Sequence, residues 1–546
     1  MALTEGIVAL LLSKSVSISL AVCGLLFFVG RALESSVDAL EPPVLRSKIP
    51  IFGHFYSLLR DQEAFFKRLE WHTAWEHTPD ANAAVANTHT HLVSKKHRLP
   101  IATLPVLRTK LYAISDPILV QSAYCNKNLS FTPFAVRGAQ KIAGFSDEYH
   151  QVLMQTNVLS EYFKSLYDGT TAQHIHQLNV TSLKHVSKHI GSIGGDGMEI
   201  ANTYLWLRNL MTVATCEGLF GPENPIRGDE LVEDVWTFET GLPYLFFHIL
   251  NSKTLQRTKE ARRRLQLALG NWCKNMKQDD EQVSAYIRNR VGILRGYGVE
   301  GQDLGDIEVG LIHVPTSNSI PTLFWFFIHV FTRPDLVLQM RAEVEPIAKR
   351  GPGHVATINI DDIIERCPLL ISAYKEASRI CNGFTCNRLT LEDTTITDGQ
   401  GRSYLLKKGA AVKMPAGVTH GSEDIWGQDA ATFRADRFLD KGLTSEQAKI
   451  RRAAWTPFGG GAHMCPGRNF ATAEIYGFMA ALLLGYNVEP LDGNWDTYKP
   501  PPMASCPQST SVRKPEDEAA VCGTRLTRRS GWEAVQWKFI SGPVTE

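Results

Sequence analysis

Residues 458–471, FGGGAHMCPGRNFA, place a single cysteine in the middle of a glycine-rich stretch. His463 lies two residues before Cys465, and Arg468 lies three residues after it. Glycines let a backbone approach a flat ligand closely and direct its N–H groups at an anion. A metal-binding thiolate needs a fixed environment with such donors. The stretch therefore favours a metal-binding cysteine, although a lone cysteine in a glycine turn is more often an ordinary buried thiol.

A helix is predicted to begin directly after Cys465. Pro466 suits the first turn of a helix, and an apolar run, ATAEIYGFMAALLL, begins at Ala471. The N-terminal end of a helix carries a partial positive charge that stabilises a nearby anion. We therefore expect the dipole of this helix to favour Cys465 as a thiolate.

The composition is that of a large globular protein without excess charge. The chain has 546 residues, 44% of them hydrophobic, with 57 Lys and Arg against 56 Asp and Glu. This balance does not indicate nucleic-acid binding. The ten cysteines are scattered without a CxxC pair, which suits a reducing compartment better than a disulfide framework. Since neither a repeat nor a long Gly/Ser linker interrupts residues 54–546, we expect them to form one domain.

The N-terminal segment is apolar enough to cross a membrane. Residues 7–30 contain one charged side chain, Lys14, and their length suits a hydrocarbon core of about 30 Å. A cleaved signal peptide, the alternative, would have a shorter apolar region and a small-residue cleavage site. We expect residues 1–31 to form a retained transmembrane helix and residues 32–53, with three prolines, to form an extended linker. Basic residues from Arg31 onward place the rest of the chain in the cytosol.

The remaining sequence is predicted to be mainly helical, with few strands. Residues 104–117 alternate like a small β-hairpin, and residues 531–540 are predicted to contain a late strand. Helical periodicity is found over residues 231–264, 282–295 and 335–344.

Two apolar stretches have alternative interpretations. Residues 241–250 are too short to span a membrane and are assigned to the core, with a substrate-access wall or a lipid contact as alternatives. Residues 312–331 contain Pro315 and Pro321 around small polar side chains. Because proline removes a backbone donor, they predict a buried, kinked helix that leaves room for a small ligand.

The stretch around Cys465 resembles the haem-binding signature of the cytochrome P450 superfamily, Phe-x-x-Gly-x-(Arg/His)-x-Cys-x-Gly-Arg-x-x-Ala. The matching positions are Phe458, Gly461, His463, Cys465, Gly467, Arg468 and Ala471. The resemblance implies the mainly α-helical P450 fold, a helical prism with small β-sheets. It makes residues 54–546 a haem-binding catalytic domain.

The same resemblance implies haem b as the cofactor, with Cys465 as the ligand of its iron. Arg388, in CNRLT, and His463 occupy positions at which the family binds the haem propionates through charge-assisted hydrogen bonds. The other implied cofactor-binding residues of the loop are Phe458, Gly461 and Gly467.

Two upstream segments extend the resemblance. YKEASR contains Glu376 and Arg379, which are neighbours on one helix face, and FRADRF contains Arg437. Ala435 and Asp436 stand where the family has Pro and Glu. In the family, the corresponding glutamate and two arginines form a buried ion network behind the haem. By resemblance, Glu376, Arg379 and Arg437 form it here, whereas each alone would more often be a solvated surface charge.

The sequence also departs from the family pattern. Where many members have an acid followed by threonine in the helix over the haem, this chain has Asn318 and Ser319. They would form the distal oxygen site, with a proton relay through Ser319 and water, because asparagine cannot ionise. The segment SNSIPTLFW resembles the branch of cholesterol 7-alpha-hydroxylase and prostacyclin synthase. The family's Trp-x-x-x-Arg helix is not found in residues 140–180, so one propionate contact stays unassigned.

These features imply a microsomal haem-thiolate monooxygenase of the endoplasmic reticulum membrane, single-pass, with a cytosolic catalytic domain. It would hydroxylate a lipophilic substrate such as a sterol, terpenoid or other secondary metabolite. Electrons would come from an NADPH–cytochrome P450 reductase. The alternatives are an NADPH-independent haem-thiolate isomerase or dehydratase acting on a peroxide, and a haem-binding protein without turnover.

Overall fold

The computed structural model describes residues 37–45, 99–106, 109–247, 252–276, 280–439, 442–492, 512–515 and 517–542. The expected transmembrane helix, residues 1–31, and most of the expected linker, residues 32–53, lie outside these ranges. Within the ranges, none of the helices has both the length and the apolar character needed to cross a bilayer.

The described residues group into two compact units. The first comprises the described residues up to Phe131 together with Thr385–Thr419, and the second comprises Thr132–Phe384 and the described residues from His420 onward. The helices are α1 (Pro117–Cys125), α2 (Thr132–Ala143), α3 (Asp147–Met154), α4 (Thr156–Asp168), α5 (Ala172–Gly191), α6 (Thr203–Phe220), α7 (Asp229–Phe247), α8 (Lys253–Asn275), α9 (Ala285–Gly296), α10 (Gln302–Glu308), α11 (Gly310–Phe331), α12 (Pro334–Val344), α13 (Ile360–Arg366), α14 (Pro368–Cys381), α15 (Ala416–His420), α16 (Glu423–Trp426), α17 (Ser445–Ala454) and α18 (Arg468–Gly485).

The first unit is built on a five-stranded sheet. Its strands are β1 (Ile101–Val106), β2 (Thr109–Ile114), β3 (Leu129–Ser130), β7 (Thr385–Thr390) and β10 (Ala411–Pro415), and their order in the sheet is β1-β2-β10-β7-β3. β2 and β10 are parallel, and the other pairs are antiparallel. A separate hairpin contains β8 (Thr394–Thr397) and β9 (Ser403–Leu406).

Part of the expected linker packs on this sheet. The N–H of Leu45 donates to the carbonyl of Thr103 at 2.9 Å, and Glu41 accepts bonds from Lys110 at 2.7 Å and Tyr112 at 2.6 Å. The backbone N–H of Asp38 and the side chains of Lys110 and Tyr112 hold the pKa of Glu41 below its ordinary value against the effect of burial. Residues 37–45 are thus tied to β1 and β2.

The second unit is mainly helical and contains two three-stranded sheets. Their orders are β11-β12-β4 and β13-β6-β5, from strands β4 (Met198–Ile200), β5 (Lys349–Arg350), β6 (Val355–Asn359), β11 (Tyr486–Pro490), β12 (Thr524–Arg528) and β13 (Gln536–Ile540). Helices α11 and α18 pack together in its core. Their fully buried side chains include Leu323, Phe326, Phe327, Phe478, Met479 and Leu482. Removing so many apolar side chains from water is the main force that holds these helices in place.

Most predicted elements are confirmed, including the mainly helical class. β1 and β2 form the expected antiparallel hairpin, β13 lies within residues 531–540, and α9 and α12 match two predicted helices. The described residues within 231–264 belong to two helices, α7 up to Phe247 and α8 from Lys253. Ser252 caps α8 by accepting the N–H of Leu255 at 3.0 Å.

The two apolar stretches take their expected places where they are described. In residues 241–250, Leu242 and Leu245 are buried in the core, as first assigned, and residues 248–250 lie outside the described ranges. Residues 312–331 belong to the buried helix α11, which continues through both prolines.

Candidate active site

Cys465 lies in a tightly folded loop that leads into α18. The loop contains the 3₁₀ turn Gly461–His463, and the N–H of Cys465 donates to the carbonyl of Phe458 at 2.9 Å. Gly459 and Gly461 have φ angles of 70° and 64°, in the left-handed region that side chains disfavour. Glycine at these positions lets the chain turn back on itself and leaves the cysteine half-buried.

The groups around the Cys465 sulfur act in opposite directions on its pKa. Burial raises the pKa of the thiol above its ordinary value, whereas the N–H groups of Gly467 and Arg468 and the charge of Arg468 act in the opposite direction. A Cβ atom on Gly467 would lie 4.0 Å from the sulfur, so this glycine lies directly against it. Amide donors around a half-buried sulfur fit a thiolate that a metal cation keeps deprotonated, and the donor set therefore fits a haem iron.

Helix α18 begins directly after the loop, as the sequence predicts. Its first residue is Arg468, whose guanidinium also donates to the Cys465 carbonyl at 3.1 Å. The partial positive charge of the helix end is therefore close to the cysteine.

The structure brings Glu376, Arg379 and Arg437 together in one buried ion network. The Glu376 carboxylate accepts two bonds from Arg379, both at 2.8 Å, and one from Arg437 Nε at 2.7 Å. All three side chains are at most 1% exposed. Further N–H groups of the two arginines donate to backbone carbonyls of His420, Trp426, Asp429, Ala430 and Thr432. The buried charges are thus paired and hydrogen-bonded, and breaking such a pair typically costs about 3–5 kcal/mol.

Three further residues complete this network and were not singled out from the sequence. Asp429 accepts a bond from Arg437 at 2.9 Å, and bonds from Arg437 and Arg434 lower the pKa of Asp429 to about 2. The Trp426 ring lies 5.1 Å from the guanidinium of Arg379. His420 accepts the N–H of Thr456 at 3.1 Å, and burial together with Arg379 lowers its pKa to about 3, so it is neutral. His420 and Trp426 lie in the segment THGSEDIWG, residues 419–427, and Asp429 lies two residues after its end.

Asn318 and Ser319 lie on α11, next to the exposed Val314. Asn318 is exposed and Ser319 is half-buried on a helix that is otherwise mostly buried. The Ser319 hydroxyl donates to the carbonyl of Pro315 at 2.6 Å, so in this structure its proton points into the helix. Pro321 has no N–H to donate to the carbonyl four residues earlier, and Thr322 donates its hydroxyl to the Asn318 carbonyl at 2.7 Å.

The two expected propionate-binding residues occupy different units. His463 ends the 3₁₀ turn before Cys465 and is half-buried. Arg388 lies on β7, is 2% exposed, and donates to the Cys386 sulfur at 2.8 Å. Its guanidinium lies 5.5 Å from the Tyr124 ring and 6.0 Å from the Phe131 ring. Their binding to propionates stays a prediction.

Residues 140–180, which lack the Trp-x-x-x-Arg pattern, fold into the end of α2, α3, α4 and the start of α5. This region contacts the Cys465 loop through a residue that the sequence analysis missed. The Tyr167 hydroxyl, at the end of α4, donates to the carbonyl of Ala462 at 3.0 Å and lies 3.3 Å from the carbonyl of Met464.

Comparisons with known proteins agree with this architecture. The cytochrome P450 family model matches residues 315–513. A cytochrome P450 monooxygenase of Gibberella zeae is 76% identical over 100% of both chains. The 25-hydroxycholesterol 7-alpha-hydroxylase of Rattus norvegicus is 28% identical over 39% of this chain and 53% of its own. The retinoic acid-bound cyanobacterial CYP120A1 has a TM-score of 0.60 at 18% identity, over 90% of this chain and 100% of its own, and shows the same fold.

The chain belongs to the cytochrome P450 family, whose members depend on a haem iron. It is an enzyme of the cytochrome P450 monooxygenase class, distantly similar to the 7-alpha-hydroxylases, as the segment after Asn318 indicated.

Proposed function

We propose that this enzyme is a haem-thiolate monooxygenase that hydroxylates a lipophilic small molecule with dioxygen and electrons from an NADPH–cytochrome P450 reductase. The observation that carries the proposal is the Cys465 loop, where the amides of Gly467 and Arg468 surround a half-buried sulfur. A sterol, a terpenoid or another secondary metabolite is the expected substrate. A 7-alpha-hydroxylase relative with 25-hydroxycholesterol in its name, and a structural neighbour with bound retinoic acid, support a lipophilic substrate.

Residues on the cysteine side hold the cofactor. Cys465 is the proposed iron ligand, and the amides that face its sulfur share the negative charge of the thiolate. When bound, haem would supply the iron for dioxygen chemistry, and the Cys465 thiolate would contribute electron density to it. Glu376 and its two arginines fix the end of α14 and the segment before the Cys465 loop. His463 and Arg388 are proposed to pair with the propionates.

On α11, one proposed site residue donates a proton and its neighbour orients water. Ser319 carries an exchangeable proton on Oγ, which the Pro315 carbonyl holds in this structure. Rotation about the Cα–Cβ bond of Ser319 releases this proton to a water or an oxygen atom of the bound reactant. Asn318 orients water with its amide but supplies no proton at neutral pH.

The N-terminal sequence supports a membrane location. We infer that residues 1–31 anchor the enzyme as a single-pass helix in the endoplasmic reticulum membrane, and that residues 32–53 lead to a cytosolic catalytic domain over 54–546. A lipophilic substrate dissolves in the same bilayer, and the reductase would approach from the cytosol. This assignment rests on the apolar run of residues 7–30 and the basic residues that follow it.

The CO complex of the reduced protein tests the assignment of Cys465. Because thiolate ligation of the iron gives the reduced CO complex a strongly red-shifted Soret band, the wild-type protein is expected to show this band and Cys465→Ala to lose it. A variant with the same spectrum as wild type would show that another group binds the iron.

Product formation by the full-length protein with reductase, with and without NADPH, then tests the reaction. A product that forms equally well without NADPH and dioxygen would contradict the monooxygenase proposal and support the isomerase alternative.

A further inference from the structure

The Tyr167 hydroxyl joins α4 to the loop of the proposed iron ligand. Tyr167 is 40% exposed, and its hydroxyl oxygen reaches the carbonyls of Ala462 and Met464, which flank His463. We propose that Tyr167 is a positioning residue that holds the Cys465 loop and thereby sets the reduction potential of the iron. This inference rests on the proposed binding of the iron by Cys465.

The contact acts on the peptide bond that leads into the cysteine. The Met464 carbonyl and the Cys465 N–H belong to one peptide unit, and that N–H donates to the Phe458 carbonyl at 2.9 Å. A donor on the carbonyl polarises the amide and strengthens the bond that its N–H makes. Tyr167 and Phe458 therefore restrain this peptide from opposite sides. The shorter bond, to Ala462, fixes the 3₁₀ turn that precedes it.

Helix α4 is itself held firmly enough to act as a support. A Cβ atom on Gly169, directly after α4, would lie 2.4 Å from the Tyr286 Cα, so the helix end touches the backbone of α9. Earlier in α4, the Tyr162 ring lies 4.0 Å from the guanidinium of Arg290. Arg290 forms two 3.2 Å bonds with Glu308, and both side chains are almost fully buried. A hydroxyl presented from such a packed helix holds its partner at a fixed distance.

Loss of this bond is expected to change the donors around the sulfur. When the loop has one restraint fewer, the amides of Gly467 and Arg468 are held less closely at the sulfur of Cys465. Weaker hydrogen bonds to a thiolate leave more negative charge on the sulfur, which favours ferric over ferrous iron and lowers the reduction potential. A looser loop also lets the thiolate be protonated and lost more readily.

The test compares Tyr167→Phe with Tyr297→Phe in the full-length haem protein. Tyr297 is a matched control because its hydroxyl donates to Glu161 of the same helix at 3.2 Å but is not bonded to the loop. In Tyr167→Phe we expect the ferric-to-ferrous ratio at a fixed potential to rise about two- to threefold, which is about 18–28 mV at 59 mV per tenfold change. We also expect the red-shifted CO band to be lost about threefold faster in mild denaturant. The control is expected to match wild type in both measurements.

The outcomes separate this inference from the proposed function. If wild type lacks the red-shifted CO band, the assignment of Cys465 as the iron ligand is wrong. If wild type has the band but Tyr167→Phe and Tyr297→Phe behave alike, only the positioning role of Tyr167 is wrong. A purely structural role would lower the thermal unfolding temperature of Tyr167→Phe without changing its potential, and that result would also overturn the inference.

Discussion

At the scale of single residues, the proton of Ser319 is the feature most open to test. Its hydroxyl is bonded to the Pro315 carbonyl, and the neighbouring Asn318 has no ionisable proton. A hydroxyl bonded within its own helix must exchange partners before it can serve a reactant. The cost is modest, since a single hydrogen bond contributes about 0.5–1.5 kcal/mol net.

Replacement of Ser319 by alanine is expected to uncouple the reaction. Haem and substrate should still bind, while product falls and the hydrogen peroxide released per NADPH rises, because the Ser319 hydroxyl is proposed to supply the proton path. Thr316→Val is the matched control, since it removes a similar bond to the Ile312 carbonyl, 2.8 Å long, from a buried position on the same helix. Asn318→Asp is expected to be tolerated or to improve coupling slightly.

NADPH use, peroxide and product are measured together for these variants. Equal peroxide release by Ser319→Ala and wild type would show that Ser319 does not deliver protons. An isomerase would instead convert a peroxide substrate without NADPH in the wild-type form. Asn318→Asp would then lose much more of this product than Ser319→Ala does.

At the scale of elements, a buried carboxyl joins three helices of the second unit. Glu474 on α18 accepts bonds from Ser182 on α5 and from Thr215 on α6, the latter at 3.1 Å. Burial raises the pKa of Glu474 to about 8, and the two hydroxyl groups only partly offset it. The side chain is therefore mainly protonated at neutral pH in the folded protein.

The protonation of Glu474 predicts a pH dependence of stability. An acid whose pKa is higher in the folded state contributes its full stability below its unfolded value of about 4.5 and loses it as pH rises towards 8. With about 1.4 kcal/mol per pH unit, the loss is at most on the order of 5 kcal/mol. Between pH 5 and pH 8.5, we expect the unfolding temperature of wild type to fall more than that of Glu474→Gln.

The control for this prediction is Glu489→Gln, which removes an exposed carboxyl from β11. It is expected to keep the pH dependence of wild type. If the unfolding temperatures of wild type and Glu474→Gln fall equally with pH, the Glu474 carboxyl ionises in the folded protein as it does in the unfolded chain.

Local sequence signals predicted elements better than they predicted distant contacts. The hairpin of β1 and β2 and the start of α18 follow from alternation, proline and glycine within a few residues. The contact of Tyr167 with Met464 joins residues 297 positions apart, and that of Ser182 with Glu474 joins residues 292 apart. Such contacts depend on how helices pack, which periodicity does not encode. Glu376, Arg379 and Arg437 could be grouped only through the family resemblance.

At the scale of the whole molecule, we predict that the proposed anchor can be removed from the catalytic domain. The second unit has its own core, with a continuous cluster of buried apolar residues from α2 to β13. In the first unit, residues 37–45 are bonded to β1 and β2, so the proposed linker is already attached to the folded domain before residue 45. We therefore predict that neither core requires residues 1–31.

Deletion of residues 1–31 is expected to release much of the enzyme from membranes while its red-shifted CO band persists. The apolar run of residues 7–30 carries most of the predicted membrane affinity, because each buried CH₂ contributes about 0.8 kcal/mol. Sedimentation of membranes, followed by CO spectra of pellet and supernatant, measures both outcomes.

If the truncated enzyme stays fully bound, the end of α7 is the first alternative contact, since Phe246 there is 38% exposed. Phe246→Ser in the truncated enzyme should then release it, whereas Phe246→Ser in the full-length protein should not. Loss of the CO band on truncation would instead show that residues 1–31 are required for the fold.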